Sequence, residues 1–122
     1  MSLLNARDNE DRPWGSFDRF THGEASTVKI ITVSPDHRLS LQYHAKRSEF
    51  WRVLSGSGIA SINGEDKPAK AGDEFEIGVG VKHRLAAGPE GITVLEIALG
   101  DFDENDIVRV EDDYGRTAPA GP

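Results

Sequence analysis

The chain contains no cysteine, which excludes disulfide staples and thiolate-ligated metal sites. No apolar run approaches the roughly 20 residues that a membrane-spanning helix needs. No segment repeats apolar residues at i, i+3, i+4 and i+7, so no amphipathic helix is expected. The first fifteen residues, MSLLNARDNEDRPWG, lack the basic stretch and apolar run of an export signal; a cytoplasmic location is the expectation. Internal repeats and low-complexity linkers are also missing, as are the Lys/Arg clusters that grip nucleic acid. Neither nucleic acid nor membrane is an expected partner.

What is present is enough for one domain. A chain of 122 residues can enclose a single hydrophobic core. The net charge of −7 is concentrated: between Asp101 and Asp113 stand seven acids and a single base, Arg109, which leaves 14 acids against 13 bases elsewhere. The body is therefore nearly neutral and open to an anionic ligand, and the acidic segment reads most simply as solvated.

Short stretches rich in β-branched, Leu or aromatic residues predict strands at Val28–Val33, Arg38–His44, Glu49–Leu54, Gly58–Ile62, Glu74–Ile77, His83–Ala87 and Thr93–Leu99. Turn chemistry separates them at Ser34-Pro35-Asp36, Gly56-Ser57-Gly58, Asn63-Gly64, Ala71-Gly72-Asp73 and Gly88–Gly91. Asn63-Gly64 is the strongest of these signals, because both central residues of a type I′ hairpin turn need φ > 0. This spacing predicts an all-β antiparallel barrel or sandwich. Residues 1–11 read as a flexible polar arm, 12–116 as the domain and 117–122 as a disordered tail.

The segment Gln42-Tyr43-His44-Ala45-Lys46-Arg47-Ser48-Glu49, with a distant His83, carries the chemistry. Residues two apart in a strand share a face, so Gln42 and His44 project together. Glu49 opens the next strand and His83 a later one. Two imidazoles, a carboxylate and an amide oxygen make a mixed N/O set suited to one divalent ion such as zinc, manganese, iron, cobalt or nickel. Lys29 interrupts an apolar strand and is a candidate for the inner wall. Arg116 and Arg84 are candidates for binding an anion, since guanidinium matches phosphate bidentately. Arg84 is next to His83 and so faces the other way, which favours a salt bridge there. His22 and His37 lie in turn-like segments at the surface, and Trp14 and Trp51 read as core or rim packing.

These residues resemble two cupin motifs. Gln42, His44, Glu49 and Gly56 match the first, with Gln at its first ligand position; Gly72, Gly80 and His83 match the second, with Gly78 where Pro is usual. The Gln-x-His pair narrows the resemblance to the zinc site of phosphomannose isomerases. It extends from Arg12-Pro13-Trp14-Gly15 through Leu39–His44, Trp51, Ser55-Gly56 and Lys82–Leu85 to Asp106–Arg109 and Glu111–Arg116. In this it is similar to the C-terminal isomerase domain of bifunctional type II enzymes, which also carry a mannose-1-phosphate guanylyltransferase domain too large for 122 residues. Type II relatives usually carry a run of histidines over His44-Ala45-Lys46 and often a histidine at Phe50.

The resemblance implies a single-domain cupin, or jelly-roll, fold. It implies an enzyme that interconverts mannose 6-phosphate and fructose 6-phosphate through a cis-enediol, with one divalent ion, zinc foremost, on Gln42, His44, Glu49 and His83. Arg116, Arg84 and Lys29 would then bind substrate, and Lys29, Arg116 and Glu76 are the catalytic candidates, Lys29 and Glu76 for abstracting the proton. Pairing of two copies through Val28–Val33 is expected, as in many small cupins. The alternatives are a non-catalytic cupin binding metal or sugar, another cupin enzyme such as an iron-dependent dioxygenase or epimerase, and a dimeric scaffold.

Overall fold

The computed structural model describes residues 4, 7–103 and 105–117; the expected tail, beyond Thr117, lies outside them. Among these residues the chain forms nine strands and no helix. They are β1 (Asp8–Arg12), β2 (Gly15–Arg19), β3 (Ser26–Val33), β4 (Leu41–Tyr43), β5 (Arg47–Ile62), β6 (Glu65–Lys70), β7 (Glu74–Ile77), β8 (His83–Gly100) and β9 (Val108–Glu111). The all-β architecture is the expected one.

Strands β5 and β8 organise it. They run antiparallel from Arg47 opposite Gly100 to Ile62 opposite His83. The sequence reading divides each into two strands and puts turns at Gly56–Gly58 and Gly88–Gly91. In the structure both glycine clusters lie inside continuous strands, and the β5 register shifts at Val53/Ser55 and Gly56/Gly58. The glycines serve close approach here rather than chain reversal. A Cβ on Gly58 would overlap the carbonyl oxygen of Ala86, and one on Gly56 that of Gly91.

Each long strand takes further partners along its edges. The second half of β8 pairs with β3 from Ser26 opposite Leu99 to Val33 opposite Ile92. The start of β8 pairs with β4, which pairs in turn with β9. Strand β7 pairs with β5 from Glu49 opposite Ile77 to Arg52 opposite Glu74. The Asn63-Gly64 turn forms as expected, with φ of 53° and 82°, and leads into β6 at the sheet edge. The sequence reading misses β6: apart from Ala69 its residues are exposed, so burial imposes no alternation, and an edge strand tolerates Pro68.

Alternation along β5 and β8 divides the packing. Trp51, Val53, Ile62, Leu85, Ile92 and Val94 belong to the main core inside the barrel. Phe50 and Ile97, on the opposite face, form a second cluster with Leu4. The arm expected over residues 1–11 is docked where it is described. Leu4 is buried, Arg7 pairs with Glu74 at 2.7 Å, and Asp8–Arg12 forms a hairpin with β2. Its sequence, DNEDR, hides the strand because charge pairs hold it, with Arg19 2.9 Å from Asp8 and 3.0 Å from Glu10. Trp14 sits at that hairpin's tip and is 73% exposed, not packed.

Candidate active site

Three strands bring the metal-type donors to one point. His44 directly follows β4, Glu49 lies in the first half of β5, and His83 opens β8, where it stands opposite Gln42. His44, Glu49 and His83 are buried, with donor atoms within 4.8 Å of one another. Glu49 sits between the imidazoles: its Oε2 is 3.3 Å from His44 Nε2 and its Oε1 is 3.2 Å from His83 Nε2.

The far side of each ring fixes its tautomer. His44 Nδ1 lies 2.7 Å from the Asp106 carbonyl oxygen, and His83 Nδ1 lies 2.8 Å from that of Val81. A carbonyl only accepts, so both Nδ1 atoms carry the proton. Each Nε2 then faces the Glu49 carboxylate. Burial pushes the His44 pKa below the ordinary imidazole value despite the opposing Asp106 hydrogen bond and Glu49 charge. For Glu49, burial pushes the carboxyl up, but His83, His44 and Arg47 outweigh it and hold the group below the usual carboxylate range.

His83 Nε2 and Glu49 Oε1 are buried and have no hydrogen-bond partner among the described residues. An orphaned buried polar atom costs roughly 1–3 kcal/mol, and a cation between these two would satisfy both. Two imidazole nitrogens and a carboxylate oxygen match a divalent ion. The backbone carbonyls behind the rings are the outer contacts that orient metal-binding imidazoles. The residues present thus fit a metal. Arg47 supplies part of the positive charge: its Nε donates to Glu49 Oε2 at 3.1 Å and its Nη2 lies 3.3 Å from His44 Nε2.

His44 and Glu49 border a cavity of about 210 Å³, lined also by Gln42, Lys29, Glu96, Arg109 and Arg116; His83 is not among its lining residues. Lys29, on β3, stands opposite Glu96 and 4.7 Å from the Phe102 ring centroid. Arg116 reaches the cavity from the C-terminal segment and pairs with Asp112 at 2.7 Å. Arg109 Nε is buried without a partner.

Two expected residues stand elsewhere. Arg84 does not line the cavity; it donates to the Leu39 carbonyl at 3.0 Å and to Glu111 at 3.1 Å, which is the salt bridge that its position beside His83 implies. Glu76 stands opposite Phe50 on the outer face of the β5/β7 pair and is exposed. That geometry removes it from the proton-transfer role the sequence reading gives it.

Other residues in the site escape the sequence reading. Glu96 is buried on β8 and accepts a hydrogen bond from Trp51 Nε1 at 3.2 Å. Burial, then the charge of Glu49, raises its carboxyl to about 7. Its signal is legible, because it interrupts Ile92–Leu99 as Lys29 interrupts β3. Arg47 and Arg109 are visible only as charges. The acidic segment is structural as well as solvated: the Asp106 carboxylate accepts from the backbone of Ala45 and Lys46 at 2.8 and 2.9 Å, and Asp113 pairs with Arg38 at 2.8 Å.

Residues 2–112 match the family described as mannose-6-phosphate isomerase C-terminal. The chain belongs to the mannose-6-phosphate isomerase C-terminal family. It is 40% identical over 107 residues to the mannose-1-phosphate guanylyltransferase ManC of Salmonella typhimurium, covering 86% of this chain and 22% of that protein. To the alginate biosynthesis protein AlgA of Pseudomonas aeruginosa it is 40% identical over 109 residues, 88% of this chain and 23% of that one. The chain thus spans less than a quarter of the length of these curated relatives. A cupin protein from Bacteroides fragilis superposes with a TM-score of 0.59 at 23% identity, over 82% of this chain and 81% of that one, and shows the barrel to be the cupin fold. This member of the isomerase C-terminal family departs from the type II pattern at Ala45 and Lys46, both exposed, and at Phe50 in the outer cluster. None of the three is among the residues lining the cavity.

Proposed function

We propose that the chain is a metal-dependent aldose–ketose isomerase that interconverts mannose 6-phosphate and fructose 6-phosphate. One observation carries the reading: Glu49, whose Oε1 faces His83 Nε2 with neither atom hydrogen-bonded among the described residues, lines a polar cavity bordered by cations. Gln42, His44, Glu49 and His83 would hold one divalent ion, zinc foremost, with cobalt, manganese, nickel or iron as substitutes. When bound, such an ion supplies Lewis acidity to the substrate oxygens. Arg116 and Arg109 present guanidinium groups suited to the phosphate, and Lys29 adds a third cation on the β3 wall. Ile31, Leu39 and Trp51 give that cavity its apolar walls. Pairing of two copies through β3 belongs to the same reading, since Val28 and Ile30 are 57% and 66% exposed.

The test is a coupled assay of fructose 6-phosphate formation from mannose 6-phosphate, with Zn²⁺, Co²⁺ or Mn²⁺ added after elemental analysis. Turnover dependent on added metal is the expected result. A metal-loaded protein with no turnover on either sugar phosphate would overturn the reading in favour of a non-catalytic binding cupin. One feature favours that second reading: Arg47 already neutralises Glu49 without a metal.

A further inference from the structure

Resting on the isomerase reading, we infer that Glu96 is the group that carries the proton between C1 and C2 of the sugar. The donors around Glu49 can polarise an oxygen, but the reaction also needs a base for a carbon-bound proton. That base must lie in the same cavity and be free of the metal set.

Glu96 meets these conditions by its place in the sheet. It stands on β8 opposite Trp51, while Glu49 stands on β5 opposite Ala98. Glu96 and Glu49 are therefore diagonal neighbours on the inner face of one antiparallel pair, with backbones about 7–8 Å apart. Both carboxylates line the same cavity. Trp51 Nε1 holds the carboxylate from one side, and Lys29 faces it across β3. The other carboxylate of the cavity and the imidazoles are reserved for the metal. Glu49 and both imidazoles belong to the metal-type donor set, and Glu76 lies outside.

The step balances. The Glu96 carboxylate takes the hydrogen on C2 of open-chain mannose 6-phosphate; the C–H electron pair becomes the C1=C2 bond and the carbonyl pair moves to O1. Protonated Glu96 then delivers the proton to C1 as the O2 proton passes to O1 and C2=O2 forms, giving fructose 6-phosphate. No oxidant or further reactant is needed.

The test is Glu96→Gln in the metal-loaded protein. Glutamine keeps an oxygen to accept from Trp51 but cannot take a proton. Turnover should drop by roughly two orders of magnitude or more, with exchange of the C1 and C2 hydrogens with D₂O lost in parallel. Metal content, circular dichroism and fructose 6-phosphate binding by calorimetry should be unchanged. Glu96→Asp withdraws the carboxylate by one methylene, and kcat should fall by about tenfold or more while KM stays within about twofold. Native-like turnover and exchange in either variant would overturn the inference while leaving the isomerase reading intact. No turnover and no exchange in the native metal-loaded protein would overturn both.

Discussion

His83 Nε2 and Glu49 Oε1 face each other at 3.2 Å inside the barrel, and among the described residues neither has a hydrogen-bond partner. The relationship is unfavourable as it stands, and a cation makes it favourable. Metal binding should therefore appear as folding stability. Adding Zn²⁺ in excess of the protein is expected to raise the melting temperature by several degrees, and His83→Ala should abolish both the shift and the bound metal. An equal shift in His83→Ala would place the metal elsewhere.

Arg109 offers the sharpest separation of binding from chemistry. Among the described residues its buried Nε has no partner, and a bound phosphate would supply one. Arg109→Ala should raise KM for the sugar phosphate about tenfold or more, by roughly 1.4 kcal/mol or above, and change kcat less. A KM within about twofold of native in steady-state assays would contradict this.

The metal-free protein should show the titration of Glu96 as a pH-dependent stability. The folded-state pKa, raised to about 7 by burial and then by Glu49, lies above the ordinary 4.5. The folded state therefore binds the proton more tightly. That stabilisation is complete below about 4.5 and is lost as pH rises through about 7. Urea unfolding should find native minus Glu96→Gln stability falling by on the order of 3 kcal/mol across this window. A flat difference would mean that the carboxyl is ionised at ordinary values when folded.

Phe50→His restores a residue common in the type II relatives. Because Phe50 is buried against Leu4 and Ile97 rather than in the cavity, metal stoichiometry and kcat should not rise. Stability should drop by about 2–3 kcal/mol from loss of apolar burial, read by chemical denaturation. A second bound metal equivalent would refute the placement.

Gly58→Ala tests the crossing of the long strands. The added methyl would occupy the space of the Ala86 carbonyl oxygen, so one strand must move. A loss of about 3 kcal/mol is expected, with Gly78→Ala, where φ is likewise not positive and a Cβ meets only Val81 Cγ2 at 3.5 Å, as the control for the added methyl alone. Equal losses would argue that contact with Ala86 is not the cause.

Much of this site could be read from residue order. Gln42, His44, Glu49 and His83 announce themselves because strand periodicity and motif spacing act together, and Lys29 stands out as a charge in an apolar strand. The hidden parts depend on which strands cross. Glu76 and Glu96 look alike in sequence; the register that sets Glu76 beside Phe50 and Glu96 beside Trp51 sends one outside and the other in. The joining of four expected strands into β5 and β8 is likewise hidden, because glycine clusters signal turns and close crossings in the same letters. The hairpin at Asp8–Arg19 is held by charges, which periodicity does not register.

The Asp106 carbonyl has one more implication, for where this domain can be cut. A fragment ending at Gly100 would retain every pairing of β5 with β6, β7 and β8, and would look intact by its strand content. It would lack the acceptor behind His44, and that ring would be free to rotate or exchange tautomers. The acidic stretch is thus no dispensable spacer: shortening it would leave the His44 imidazole unaimed.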